Sequence, residues 1–214
     1  MICGIDEAGR GPAMGPLVVG VIFVEDDAVL KEIGVKDSKK LTPKARDRMY
    51  DQITSSVEHW DTVMISAEDI DEQRKRISLN EIELNMFSEG ASKWHADTVI
   101  ADCPDINETS FSDRLRNLIG NDVEIIAKHK ADDTYPVVSA ASIIAKVTRD
   151  RMMDEIRREF GTNIGSGYPS DHYTMDFIRE WIDTNGTAPP HVRTSWEPVK
   201  EMLSRKKCTR IDDW

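Results

Sequence analysis

The N-terminal stretch of the chain carries two adjacent acids followed by a glycine-flanked arginine. The acids are Asp6 and Glu7, and Gly9, Arg10 and Gly11 follow after one alanine. Carboxylate oxygens are hard ligands that suit Mg²⁺ or Mn²⁺, whereas glycines let backbone N–H groups approach a ligand and arginine offers a planar fork to phosphate. The stretch indicates a metal site next to an anion-binding loop, which is typical of phosphate chemistry, although such residues are also common in solvated turns.

Two further acids follow predicted strands. Asp102 follows a strand predicted at 98–101, and Asp132 follows one at 123–127, with Asp133 as its nearest rival. Acids at successive strand ends can converge where an α/β sheet binds its ligands. Two carboxylates about 4 Å apart repel by roughly 4 kcal/mol at an effective dielectric of about 20, so a packed group requires cations or raised pKa values. Two such cations can activate a water and stabilise the leaving oxygen of a phosphodiester.

Asp6 and Glu7 pose a geometric problem for such a site. Neighbours on a regular strand point to opposite faces of the sheet, so both acids can serve one site only if the strand bends or ends there. The glycines that follow favour this, and we expect the first strand to end at the two acids. A dinucleotide-binding loop is disfavoured, because the glycine spacing is not G-x-G-x-x-G and Pro12 interrupts it.

Composition narrows the class of protein. The chain has 214 residues, a hydrophobic content of 39% and a net charge of −11, which suits a globular protein and disfavours nonspecific coating of nucleic acid. Its longest apolar run, residues 17–24, is too short to span a membrane. Three widely spaced cysteines predict neither disulfides nor a zinc site. We expect a cytoplasmic monomer without a membrane segment.

Hydrophobic periodicity predicts alternating strands and helices. Residues 1–135 have the pattern of a strand-led α/β core, residues 136–206 are mostly helical, and residues 207–214 form a tail. The predicted strands are 1–5, 16–25, 62–67, 98–101 and 123–127, and the main predicted helices are 43–57, one starting after Ser78, 113–119, 137–160, 176–184 and 197–206.

Motifs along nearly the whole chain resemble those of type 2 ribonuclease H (ribonuclease HII), in its archaeal form. The matching blocks occur in the family's order and are GIDEAGRGP at 4–12, MGPLV at 14–18, KDSKKL at 36–41, AD at 101–102, KAD at 130–132, YPVVSAASIIAKVTRD at 135–150 and GSGYPSD at 165–171. The resemblance implies a ribonuclease H-like mixed sheet flanked by helices, with the helical C-terminal part packed on the core and completing a substrate groove.

The resemblance also implies an activity. It implies an endoribonuclease that cuts the RNA strand of RNA–DNA hybrids and cuts at ribonucleotides embedded in duplex DNA, leaving 5′-phosphate and 3′-hydroxyl ends, as ribonucleotide excision and primer removal require. The catalytic metal ligands would be Asp6, Glu7, Asp102 and Asp132. Asp6 would be shared by two Mg²⁺ or Mn²⁺ ions, Glu7 and Asp102 would complete the first site, and Asp132 would serve the second.

Substrate-binding residues are carried over in the same way. Gly9, Arg10 and Gly11 would contact the ribose and flanking phosphates, and Tyr168 would pack against the next sugar, although a loop tyrosine can equally cap the core. The 2′-hydroxyl is what such contacts would detect. The residues expected to bind backbone phosphates are Ser38, Lys39, Lys40, Lys146 and Arg149. Arg149 has a structural alternative, an ion pair with its neighbour Asp150.

The C-terminal tail and one histidine carry weaker signals. Ile211 and Trp214 resemble the tail by which archaeal members dock on a sliding clamp, but a solvated tail fits the same residues. His129 precedes Asp132 closely and could shuttle a proton at the site, but we expect it to lie on the strand before the site. Two other classes stay open: another metal-dependent nuclease or recombinase of this fold, and a noncatalytic binding module with a structural cation.

Overall fold

A computed structural model describes residues 1–35 and 41–211, with side chains up to residue 206. The chain divides into two compact units. The first contains Met1–Ala8, Val18–Met64 and Leu79–Arg149, and the second contains Gly9–Leu17, Ile65–Ser78 and the chain from Asp150 onward. The predicted division into residues 1–135, 136–206 and 207–214 stays a prediction.

A five-stranded mixed sheet with flanking helices confirms the predicted fold class. The strand order is β3-β2-β1-β4-β5. The strands are β1 (Ile2–Ala8), β2 (Leu17–Val24), β3 (His59–Ile65), β4 (Thr98–Asp102) and β5 (Glu124–Lys128). β1 pairs antiparallel with β2 and parallel with β4, and β4 pairs parallel with β5.

The helices follow the predicted pattern, with three short additions that hydrophobic periodicity did not reveal. The helices are α1 (Ala28–Ile33), α2 (Pro43–Ser56), α3 (Ala67–Gln73), α4 (Leu79–Ala91), α5 (Glu108–Ile119), α6 (Ala131–Thr134), α7 (Pro136–Phe160), α8 (His172–Asn185) and α9 (Glu197–Ile211). The unpredicted α1, α3 and α6 span at most two turns, which is too short for a 3.6-residue period to repeat. Among the described residues, none of the helices combines the length and the hydrophobicity that a membrane-spanning segment needs.

The pairing of β1 with β4 aligns two of the predicted acids. Ile5 lies opposite Ala101 in the parallel register, so Asp6 and Asp102 each follow a paired residue by one position. Side chains alternate between faces along a strand, and residues at matching positions of paired strands share a face. Asp6 and Asp102 therefore project from the same face of the sheet on neighbouring strands.

Two glycines allow α7 to pack directly on the sheet in the first unit. A Cβ at Gly4 would lie 2.4 Å from the carbonyl oxygen of Val137, and a Cβ at Gly20 would lie 2.4 Å from that of Ala141. Distances this short exclude any side chain larger than hydrogen without a shift of the helix. Gly20 is the residue of β2 opposite Asp6, so this close approach occurs next to the acid.

The second unit has its own apolar core. Buried side chains of α7, α8 and α9 pack there with residues of the 9–17 segment and with Ile164 and Val192, which lie between the helices in sequence; the full set is Ala13, Met14, Met153, Ile156, Ile164, Ile178, Ile182, Val192 and Val199. Met14 also forms an isolated β-bridge with Val192. The 9–17 segment is thus held to the 191–199 segment by both packing and backbone pairing.

Candidate active site

Three carboxylates from different elements of the first unit converge. Asp6, Asp102 and Asp132 each offer a carboxylate oxygen within 4.8 Å of the other two. Asp6 and Asp132 are both 5% exposed, and Asp102 is half-buried. Asp133, the sequence rival of Asp132, is exposed. The structure thus brings together three of the four predicted acids at the expected edge of the sheet.

A hydrogen bond links Asp102 to the backbone of the helix that carries Asp132. The N–H of Ala131 donates to Asp102 Oδ1 at 2.9 Å, and Ala131 begins α6. Lys130, just before it, adopts a left-handed conformation with φ 57°, which turns the chain sharply after β5. The carboxylate of one strand end therefore anchors the helix that presents the next acid. Asp132 follows β5 as predicted, and it lies in a short helix that the sequence pattern did not reveal.

Burial and neighbouring charge strongly raise the pKa of the Asp6 carboxyl group. Burial, and then the charges of Glu7 and Asp102, raise the pKa of Asp6 well above its ordinary value, while a hydrogen bond from Ser142 and the backbone N–H of Glu7 lower it. The Glu7 N–H lies 2.7 Å from Asp6 Oδ1. A site that crowds carboxylates in this way is stabilised by a cation. An all-oxygen donor set fits a hard divalent ion, so these residues could hold Mg²⁺ or Mn²⁺.

Glu7 differs from the other three acids. The expectation that β1 ends at the acids is wrong, because β1 continues in regular register to Ala8, which pairs with Val18. On an unbroken strand Glu7 points to the face opposite Asp6. Its carboxylate is not in the group of three, although its charge still reaches Asp6. Its role as a metal ligand stays a prediction.

His129 is held by structural contacts. It lies in the turn after β5 rather than on the strand, which corrects the sequence expectation. Its backbone N–H donates to Glu108 Oε1 at 2.7 Å, and its ring Nε2 lies 2.7 Å from the carbonyl oxygen of Asp105. These contacts tie the turn to the start of α5. The contact of the imidazole with the Asp105 carbonyl oxygen is therefore a structural one.

The predicted ribose-reading residues lie in the second unit, where two of them are neighbours. A Cβ built on Gly11 would lie 3.7 Å from Cε1 of Tyr168, whose side chain is 38% exposed. The carbonyl oxygen of Gly167 accepts hydrogen bonds from Ala13 and Met14 at 2.8 and 3.1 Å. Backbone hydrogen bonds therefore hold the glycine loop (residues 9–15) next to the tyrosine loop (residues 165–171).

The predicted phosphate-binding residues have mixed outcomes. Ser38, Lys39 and Lys40 lie outside the described residues. Lys146 is half-buried on α7. Arg149 is 1% exposed, and its binding of a backbone phosphate stays a prediction.

Only part of the C-terminal tail lies within the described residues. Ile211 is the last residue of α9, and its side chain is not among those described. Trp214 lies outside the described residues. Docking of these residues on a clamp stays a prediction.

Two residues that matter to these sites were missed in the sequence. Ser142, which hydrogen-bonds to Asp6, is a polar residue within the apolar run of α7, and that interruption was the available signal. Arg193 is fully buried and hydrogen-bonded to the glycine loop. No local pattern around Arg193 distinguishes it from a solvated arginine.

Comparisons with known proteins identify the class. The sequence profile of ribonuclease HII matches residues 3–199. A ribonuclease HII from Methanosarcina barkeri is 42% identical over 219 residues, covering 98% of both chains. The crystal structure of ribonuclease H2 from Pyrococcus horikoshii superposes with a TM-score of 0.90 at 36% identity, covering 96% of this chain and 98% of that one.

A third relative was solved as a complex. The ribonuclease HII in the PCNA:RNase HII complex from Archaeoglobus fulgidus is 37% identical, with a TM-score of 0.88, covering 94% of this chain and 96% of that one. The fold and these matches define a ribonuclease H hydrolase. The chain belongs to the ribonuclease HII family.

Proposed function

We propose that the protein is a divalent-metal-dependent endoribonuclease that cuts the RNA strand of RNA–DNA hybrids and cuts at ribonucleotides embedded in duplex DNA, leaving 5′-phosphate and 3′-hydroxyl ends. Family membership supports the hybrid activity. The observation that carries the proposal is the convergence of Asp6, Asp102 and Asp132 within 4.8 Å of one another. Three carboxylates so close and so buried are suited to a cation that in turn binds a phosphodiester.

The acids would divide the work of holding two metal ions. Asp6 would be the shared ligand, Glu7 and Asp102 would complete one site, and Asp132 would serve the other. Bound divalent cations supply an activated water and stabilise charge on the leaving oxygen. Ser142 would orient the Asp6 carboxylate through its hydrogen bond. Asp102 would use one oxygen to anchor α6 and keep the other for a cation.

Discrimination of RNA from DNA would belong to the second unit. Gly9, Arg10 and Gly11 would contact the ribose and flanking phosphates, with Tyr168 testing the adjacent sugar. The 3.7 Å approach of a Gly11 Cβ to the Tyr168 ring supports this pairing, because the two residues can meet one nucleotide step. A 2′-hydroxyl both donates and accepts hydrogen bonds, and it is the feature that a single embedded ribonucleotide offers.

Strand cleavage on three substrates tests the proposal. We expect Mg²⁺- or Mn²⁺-dependent cutting of a full RNA–DNA hybrid and of a duplex with one embedded ribonucleotide, and no cutting of the all-DNA duplex. End analysis should show 5′-phosphate and 3′-hydroxyl products. Cutting of all-DNA would favour another nuclease or recombinase of this fold, and cation binding without any cutting would favour a noncatalytic module.

A sliding clamp is the proposed protein partner. The structure of a PCNA:RNase HII complex from Archaeoglobus fulgidus supports this. Ile211 and Trp214 would provide the apolar contacts. Titration of a PCNA-type clamp with the full chain and with a Trp214→Ala variant tests this partner, since equal affinity would exclude docking through the tail.

A further inference from the structure

A buried guanidinium holds the glycine loop from within the second unit. Arg193 is fully buried. Its Nη2 donates to the carbonyl oxygens of Gly9 at 2.6 Å and Gly15 at 2.9 Å, its Nη1 donates to that of Arg10 at 3.0 Å, and its Nε donates to that of Gly15 at 3.1 Å. Burial of a cation is costly unless acceptors surround it. Here backbone carbonyls of one loop are those acceptors.

These bonds also set the direction of the loop N–H groups. In a planar trans peptide the carbonyl and the following N–H point in opposite directions, and the described residues contain no cis peptide. Because Arg193 binds the carbonyls of Gly9 and Arg10, the N–H groups of Arg10 and Gly11 point away from the guanidinium. Successive N–H groups directed to one side are the arrangement that binds anionic oxygens.

A tryptophan extends the same arrangement by one residue. Trp196 Nε1 donates to the carbonyl oxygen of Gly11 at 3.1 Å. The guanidinium of Arg193 lies 4.8 Å from the centroid of the Trp196 ring, and that of Arg74 lies at the same distance. The carbonyls of Gly9, Arg10 and Gly11 are thus all bonded to the 193–196 segment.

That segment is in turn anchored to α3 and the residue after it. Asp71 accepts from the N–H groups of Thr194 at 2.6 Å and Ser195 at 3.0 Å. Arg74 Nη1 donates to the Ser195 hydroxyl at 2.9 Å. The loop therefore rests on a rigid, hydrogen-bonded support and not on Arg193 alone.

We propose that Arg193, with Trp196, is the positioning residue that presents the N–H groups of Arg10 and Gly11 to the sugar-phosphate backbone at a ribonucleotide. The inference rests on the proposed function of the glycine loop. Arg193 touches no substrate; it acts through the loop that does. Lysine is a poor substitute, because a single ammonium cannot reproduce the planar fork that meets carbonyls of three residues.

The test compares binding as well as cleavage. Dissociation constants are measured in the Asp6→Asn background for a duplex with one ribonucleotide and for the matching all-DNA duplex. The ratio is the dissociation constant for the all-DNA duplex divided by that for the ribonucleotide-containing duplex. For Arg193→Lys we expect this ratio to fall by about tenfold, which corresponds to the loss of one hydrogen bond to a charged group. When Arg193→Lys is made in the parent protein, with Asp6 intact, we expect kcat/KM at the single ribonucleotide to fall by about a hundredfold, because a shift of the bound substrate by about 1 Å has an effect of this size.

Two further variants separate positioning from folding. Trp196→Phe keeps an aromatic ring but removes the indole N–H donor, and we expect the ratio of dissociation constants to fall by less than in Arg193→Lys. Arg179→Lys, at an exposed arginine of α8 paired with Asp176 at 2.6 Å, is the matched control and should behave as the parent. A lower folded fraction alone does not change a ratio of dissociation constants, so a purely structural role leaves that ratio intact.

The outcomes are distinguishable. If the parent protein discriminates and both Arg193→Lys and Trp196→Phe retain its ratio, the assignment of Arg193 is overturned while the proposed function stands. If Arg193→Lys does not fold, Trp196→Phe decides the question alone. If the parent itself does not cut at a single ribonucleotide, the proposed function and this inference fail together.

Discussion

Asp102 binds the backbone N–H of Ala131 through one carboxylate oxygen, at 2.9 Å, and thereby ties the end of β4 to the start of the helix that carries Asp132. One acid of the site thus builds the support of another. Loss of Asp102 should therefore damage the fold and the chemistry separately, and substitutions can divide the two effects.

Asp102→Asn and Asp102→Ala should differ in stability but not in activity. Both remove the charge that we propose binds a metal ion, so both should lose cleavage. Asparagine keeps an acceptor for the Ala131 N–H, whereas alanine loses it at a cost of about 1–2 kcal/mol. Urea unfolding in EDTA measures this difference. Equal stability of the two variants would show that the bond to Ala131 contributes little.

Asp6→Asn should abolish cutting and stabilise the metal-free protein. The amide replaces a buried carboxyl group whose pKa is raised by desolvation and by the charges of Glu7 and Asp102. Each kcal/mol gained in the free energy of unfolding should raise the Tm in EDTA by about 2–4 °C for a chain of this size. Affinity for a ribonucleotide-containing duplex should stay largely intact. Retained cleavage, with contaminating nuclease excluded, would refute the assignment of Asp6 as a metal ligand.

Gly11→Ala should separate function from folding. The added Cβ would meet Tyr168 at an ordinary contact distance of 3.7 Å, so the Tm should stay close to that of the parent. The methyl group would nevertheless lie on the exposed backbone that we propose contacts the ribose, and cleavage at a single ribonucleotide should fall.

Gly9→Ala is the contrasting variant. Its backbone has φ 97°, which disfavours any side chain, so the substitution should lower the free energy of unfolding by about 1 kcal/mol or more.

Tyr168 provides the second half of that test. Tyr168→Ala should slow cutting at a single ribonucleotide more than it slows cutting of a full RNA–DNA hybrid, and this comparison separates the role of the ring from any loss of stability. A variant that cuts such sites as fast as the parent would remove Tyr168 from the reading of the junction.

Gly20→Ala should destabilise the first unit. Its Cβ would lie 2.4 Å from the carbonyl oxygen of Ala141 and 2.8 Å from the N atom of Ala145, both on the backbone of α7. Overpacking of this kind costs about 1–3 kcal/mol. The same shift would move Ser142 relative to Asp6, so cleavage should fall in the fraction that remains folded. Thermal unfolding and kcat measured together test this, and an unchanged Tm would contradict the close packing.

Acid should destabilise the tyrosine loop through Asp171. Hydrogen bonds, first from the Ser166 N–H at 2.7 Å, lower the pKa of Asp171, which also caps α8 by accepting from the Tyr173 N–H at 3.0 Å. A lowered folded-state pKa means that the stabilisation is complete above the unfolded-state value of about 3.9 and is lost as the pH falls through the folded-state value.

The matched variant for Asp171 is Asp171→Asn. It should have a lower Tm than the parent at pH 7, and the difference should shrink as the pH drops below about 4, because the stabilisation of the parent is lost between the unfolded-state pKa and the lowered folded-state pKa of Asp171. A Tm difference that stays constant from pH 7 to pH 3 would show that the ionised carboxylate is not what stabilises the loop.

Much of the site was predictable because its signals are local. Asp6 and Asp102 follow short apolar runs, and strand pairing then aligns them on one face. The prediction of Asp132 over Asp133 agrees with their burial, yet the four-residue helix that carries Asp132 left no periodic signal. The same limit hid α1 and α3, because hydrophobic patterning needs several turns before it can be recognised.

The sequence by itself determined which residue types stand at the strand ends and in the glycine loop, and the family to which they belong. Only the tertiary structure decided the orientation of Glu7, the burial of Arg149 and the placement of Arg193 under the loop. Arg193 lies 184 residues from Gly9 in the chain. Burial and hydrogen bonding between such distant residues depend on how the whole chain packs, and no local pattern of charge or hydrophobicity encodes them.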